Sequence, residues 1–177
     1  MACALTSDLT QKVCKTPSGI SEILVTEFAN IEGGASGWTY TANVVTDVAV
    51  AVGKEFRVYQ MKAATSDFKV NGTGSGSAGS YSYAYEVNGQ FLGIDTATQE
   101  ELELLLKNTV VVIVKLNDGT YWALGQEFGL DVATDNFESG VALGDFMGDK
   151  VQLTGIGTLR AKKVTTALIA TLIVPAL

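Results

Sequence analysis

The side chains able to do chemistry in this sequence are carboxylates, tyrosines and a few lysines and arginines, because the chain contains no histidine. Serine and cysteine nucleophiles usually pass their proton to a histidine, so the common catalytic triads are unavailable. Lysine or carboxylate bases stay open. Asp145 with Asp149, and Asp131 with Asp135, are spaced acidic pairs in a glycine-rich stretch, and paired carboxylates serve glycoside hydrolysis or bind calcium. The order of Asp131, Asp135, Asn136 and Glu138 does not reproduce the acid-and-glycine pattern of a calcium loop. A solvated surface is the expected setting for both pairs.

Other motifs reduce to structural roles in the same way. GSGSAG at 74–79 matches G-x-G-x-x-G, but that fingerprint holds a pyrophosphate only between an entering strand and a leaving helix. The segment that follows carries Tyr81, Tyr83 and Tyr85 at strand spacing, so the glycines read as a long, mobile hairpin tip. The three tyrosines could stack nucleobases only beside a basic groove. No lysine or arginine lies between Gly72 and Leu106, which points to core or interface packing. Arg160, Lys162 and Lys163 form a basic cluster, open to three readings: plain solvation, phosphate contact, or electrostatic matching between successive subunits. Cys3 and Cys14 are too few ligands for zinc; they read as reduced side chains in an N-terminal arm or as a disulfide stapling it. No cofactor or metal is expected.

Charge is segregated along the chain. The formal net charge of −7 disfavours nonspecific nucleic-acid binding. Between Glu86 and Asp149, twelve acids face only Lys107 and Lys115, a local net of −10 that leaves +3 elsewhere. Hydrophobic residues make up 47%, yet no run reaches the ~20 apolar residues of a membrane span, so the excess is assigned to subunit contacts. The apolar C-terminal stretch from Ala167 is about half a span, and no membrane anchor is expected. The N-terminal residues show no basic leader with an apolar core, which implies synthesis and retention in the cytoplasm.

The elements positioning these residues are mostly strands. Glu22 to Ile31, Trp38 to Val52, and EFRVYQMK at 55–62 are rich in β-branched and aromatic residues; the last reads as a strand covered on both sides. Phe68 to Val70 and YSYAYEV at 81–87 predict a hairpin. DTATQEELELLLKN at 95–108 predicts a helix, with Thr98 and Glu101 as a capping box, acids in the first turn, Lys107 in the last, and Leu102, Leu105 and Leu106 on the buried face. Thr109 to Leu116, the NDG turn and TYWALG predict a central hairpin. DNFESGVALGDFMGD reads as a loop, and KVQLTGIGTLRAKKV as one strand ending in the basic cluster. The fold class is therefore mainly β, a β-sandwich or rolled antiparallel sheet with one short flanking α-helix and extended N- and C-terminal arms. The expected boundaries are an arm at 1–18, one domain at 19–164, and an apolar arm or strand at 165–177.

In this organisation the chain resembles structural proteins of tailed-bacteriophage virions, tail-tube subunits in particular. The residues that carry the likeness are KTPSGISEILVTEF, QEELELLLKN, VVVIVKLNDGTYWALG and GLDVATDNFESGVALGDFMGDKVQLTG. The last two segments are similar to virion proteins of phages infecting Bacteroidota. The resemblance implies a β-sandwich flanked by a helix that joins copies of itself into rings, usually hexameric, which stack through loops and arms around a DNA-conducting channel. It also implies other virion proteins as partners, passage of DNA without sticking, and a virion location after synthesis in the host bacterial cytoplasm. Tyr81, Tyr83, Tyr85, Asp145, Asp149, Arg160, Lys162 and Lys163 are then the candidate interface residues. Arginines at Asp145 and Asp149 are expected to disturb assembly or DNA passage more than folding. Two other classes stay open: a neck-ring, capsid-decoration or fibre-base protein, and a carbohydrate- or calcium-binding β-sandwich or weak carboxylate hydrolase.

Overall fold

Runs of β-branched residues separated by glycine-bearing turns build two sheets in the computed structural model, which describes residues 17–61, 65–93 and 95–173. In chain order the elements are β1 (Ile20–Glu27), β2 (Trp38–Thr41), β3 (Val44–Val48), β4 (Arg57–Gln60), β5 (Asp67–Ser75), β6 (Ser80–Leu92) and α1 (Thr96–Lys107). There follow β7 (Val110–Leu116), β8 (Tyr121–Leu124), β9 (Asp131–Glu138), β10 (Gly148–Gly157), β11 (Lys162–Val164) and α2 (Thr166–Leu172). One sheet has seven strands in the order β2-β3-β11-β8-β7-β1-β4, the other four in the order β5-β6-β10-β9. Every pairing between these strands is antiparallel except β11 with β3.

Strand alternation divides the apolar residues between two cores. Ile23, Val25, Val112, Val114 and Leu124 meet Tyr85, Val87, Val151 and Leu153 between the sheets. Leu24, Val45, Val111, Ile113 and Ala123 project from the other face of the seven-stranded sheet and are covered by Leu168, Ile169 and Leu172 of α2. The molecule is thus a mainly β sandwich with a helical outer layer. The C-terminal stretch expected as an extended arm or strand is a helix over Thr166–Leu172, because burying those three side chains on a single helical face outweighs the strand preference of its isoleucine and threonines.

The hairpin of β7 and β8 forms as expected. Gly119 supplies φ +81° at the end of the NDG turn, its N–H donates to the Leu116 carbonyl at 2.9 Å, and Asp118 accepts from the Thr120 N–H. Helix α1 also forms, with Lys107 in its last turn, but it starts earlier than the expected capping box. Asp95 is the N-cap, accepting from the Thr98 N–H at 2.6 Å, and no acid lies in the first turn. Glu101 instead accepts from the Tyr59 hydroxyl at 2.6 Å, tying the helix to β4. Leu102 and Leu105 enter the inter-sheet core, whereas Leu106 is exposed.

Five other expectations change. The stretch from Trp38 to Val52 is not one strand; Ala42 and Asn43 take positive φ and turn it into the β2–β3 hairpin. β4 is an edge strand, exposed along most of its length, and not covered on both sides. The ladder of β5 and β6 reaches Ser75 opposite Ser80, so the long glycine tip shrinks to residues 76–79. DNFE belongs to β9, and KVQLTGIGTLRAKKV divides into β10 and β11, which lie in different sheets. The expected N-terminal arm, including Cys3 and Cys14, lies outside the described residues apart from Pro17 and Ser18.

Candidate assembly surface

The four-stranded sheet has one covered face and one open face. Tyr83, Tyr85, Val87, Val151 and Leu153 point inward, while the outer face carries hydrogen-bonded polar side chains. Asn88 donates to Asp67 at 3.1 Å and to Glu86 at 2.9 Å, and Gln152 donates to Asn88 at 3.1 Å. Lys69 lies 3.4 Å from both Asp67 and Glu86, and Lys150 lies 2.6 Å from Glu138. Each lysine of this sheet is therefore already matched to a carboxylate. The outer edges of β5 and β9 pair with no strand among the described residues, leaving rows of backbone donors and acceptors free for another chain.

Tyr81, Tyr83 and Tyr85 do share one face of β6, but they run from solvent into the core: Tyr81 is 65% exposed and Tyr85 5%. β10 pairs with β6 only as far as Gly157 opposite Tyr83, so residues 73–82 project beyond it as a two-stranded ribbon. Tyr81 and Tyr83 meet edge to face, their centroids 6.3 Å apart. The Tyr85 hydroxyl donates to the Leu159 carbonyl, and burial, with added repulsion from Glu127, pushes its pKa up to about 12.

Glu127 organises this end of β10. Its carboxylate accepts from the Thr158 N–H, from the Thr158 hydroxyl at 2.5 Å and from the Leu159 N–H at 3.0 Å. Burial opposes its ionisation, but these donors prevail and hold its pKa below the ordinary carboxylate range. A Cβ at Gly157 would come within 2.7 Å of both the Glu127 carboxylate and the Tyr85 hydroxyl, so a side chain there would displace these groups. Beyond it lie Arg160 and Lys163, both exposed and without an ion pair among the described residues, and Lys162, which donates to Asn43. The tyrosines and the basic cluster are thus brought to one end of β10.

Asp145 and Asp149 lie at the other end, and they are not an equivalent solvated pair. Asp145 folds the loop 139–147, accepting from the Ala142 N–H at 2.7 Å and the Val141 N–H at 2.9 Å, which lowers its pKa. Asp149 is 4% exposed, and its Oδ2 finds no hydrogen-bond partner among the described residues. Burial, then the nearby Asp135 carboxylate, raises its pKa. An arginine at Asp149 would be a lesion of the fold and not of assembly alone, which corrects the earlier expectation. Around this end Val141 and Leu143 are fully exposed, and Leu92, Phe137 and Met147 are exposed beside them in sequence or strand register.

Glu127 and the apolar loop are the features that sequence reasoning missed. For the loop a signal existed: Val141 and Leu143 alternate with small residues where turn chemistry favours polar ones. Glu127 had none, since its partners lie 31 and 32 residues away. A polar cleft of about 280 Å³ lies between α1 and β4, lined by Lys54, Arg57, Tyr59, Glu101 and Asn108, and a larger one of about 390 Å³ lies between Phe91, Leu92 and the start of α1. No three metal-ligating side chains come together among the described residues, and no helix there is long and apolar enough to cross a membrane. Compared with family models, curated proteins and solved structures, the chain matches none.

Proposed function

We propose that this chain is a structural subunit that assembles with copies of itself, and that its place is the tail tube of a tailed bacteriophage, as stacked, hexameric rings around a DNA-conducting channel. The observation that carries the self-assembly is the four-stranded sheet, neither edge of which pairs with a strand among the described residues. An open edge on each side of one sheet lets β9 of one copy meet β5 of the next, and a closed ring satisfies every such edge. The polar outer face suits contact with water in a channel, and its lysines are neutralised by Asp67, Glu86 and Glu138, leaving little to hold phosphate. The tail-tube assignment within this class rests on the resemblance of the helix, the β7–β8 hairpin and the β9–β10 region to tail-tube subunits.

The test is the oligomeric state of purified protein, by light scattering across concentration and salt together with electron microscopy. Rings or tubes are the expected result. A monomer under every condition would overturn the assignment, and binding to phage particles without self-assembly would move it to a decoration or fibre-base role.

A further inference from the structure

The two ends of β10 differ in shape and charge yet both expose apolar side chains. At the Gly148 end the loop 139–147 presents Val141 and Leu143, beside the exposed carboxylate of Asp145. At the Gly157 end Phe128 and Ile156 are exposed, followed by the cations Arg160 and Lys163, which form no ion pair among the described residues. The strand between them has ten residues, which separates the ends by about 30 Å.

We propose that copies of this chain join head to tail along β10, the 139–147 loop of one copy seating on the Gly157 end of the next. Val141 and Leu143 cover Phe128 and Ile156, and Asp145 faces Arg160 and Lys163. The occupant is a second copy because each end supplies what the other lacks: an acidic apolar projection meets a basic apolar surface. Two different surfaces at opposite ends of one subunit make a heterologous contact, which repeats along an axis without closing. Asp145 serves the contact twice, since its bonds to the Val141 and Ala142 N–H groups fix the loop while its charge stays exposed. This inference rests on the self-assembly reading and specifies its axial contact.

The experiment uses the full chain in three forms: the natural sequence, a loop variant (Val141→Ser with Leu143→Ser), and a basic-end variant (Arg160→Glu with Lys163→Glu). All four positions are exposed, and circular dichroism checks that each form folds. The natural chain is expected to form long stacks by electron microscopy, and each variant alone to stop at the unstacked unit. An equimolar mixture of the variants retains one intact loop and one intact receiving end, so its particles double in mass and grow no further. Stacks as long from either variant, or a mixture that stays unstacked, overturn the axial contact while leaving ring assembly standing. A monomeric natural chain overturns the assembly reading itself. A further measurement needs no variant: higher salt shortens the natural stacks, because exposed ion pairs are screened, and stacks indifferent to salt overturn the charge pairing.

Discussion

In the seven-stranded sheet β7 is covered on both faces, with Val111 and Ile113 turned to one core and Val112 and Val114 to the other. In the four-stranded sheet only the inner face is covered, fully at β6 and β10 and in part at Phe68 and Val70 of β5 and Val132 of β9, and β9 is exposed along most of its length. The first sheet finishes its hydrogen bonding and packing within one chain except at its edges; the second leaves a face, two edges and an apolar loop unfinished. Stability of the subunit should therefore reside in the first sheet and contact with other molecules in the second.

The largest effect that tests this division is at Ile113, which is fully buried. Ile113→Ala should lower unfolding free energy by about 2–5 kcal/mol, the range for emptying a core position. Thr154→Ala on the outer face of β10 should change it by less than about 0.5 kcal/mol. Urea denaturation of both variants measures the contrast, and comparable losses would break it.

A smaller effect is expected where the second sheet is tied down, at Glu127. Glu127→Gln weakens three hydrogen bonds to the β10–β11 turn, for a loss of about 1 kcal/mol after allowing for partial exposure. Because the folded pKa of Glu127 lies below its unfolded value of about 4.3, its contribution is present above that pH and fades as pH falls through the folded pKa. The gap between natural chain and variant should close in acid. A gap independent of pH would show that packing, not the charge, holds the turn.

What was legible in the sequence follows the same division. β7, its NDG turn and β8 declare themselves because β-branched burial and turn chemistry agree over a few residues. The helix also declared itself, but its start did not, since Asp95 and Thr98 are both good caps and only the chain path chooses between them. β9 was hidden because an exposed edge strand has no apolar alternation to reveal it; Asp135, Asn136 and Glu138 read equally well as loop. α2 is not legible because the surface that Leu168, Ile169 and Leu172 cover is built by strands far away in the chain. The candidate site was legible as residue types, not as positions: nothing local separates Asp149, buried on a strand, from Asp145, exposed in a loop.

The smallest effect expected is at that pair, and its sign is the informative part. Asp149 lies in a buried position without a partner among the described residues, and its folded pKa is raised by burial and by Asp135. Folding thus favours the protonated acid over the ionised one. Its favourable contribution is therefore complete below the unfolded pKa of about 3.9 and is lost as pH rises through the folded pKa. Asp149→Asn keeps the shape and removes the titration, so at neutral pH the variant should be the more stable, by on the order of 0.5 kcal/mol because the amide inherits the unpaired position. Its advantage should vanish in acid, so that charge at Asp149 penalises folding where charge at Glu127 favours it. Measurement in the Val141→Ser, Leu143→Ser background keeps assembly from adding its own stabilisation. An Asp149→Asn chain less stable at neutral pH than its parent would mean that the buried carboxylate is ionised and held, and that the Gly148 end of β10 is as complete as the Gly157 end.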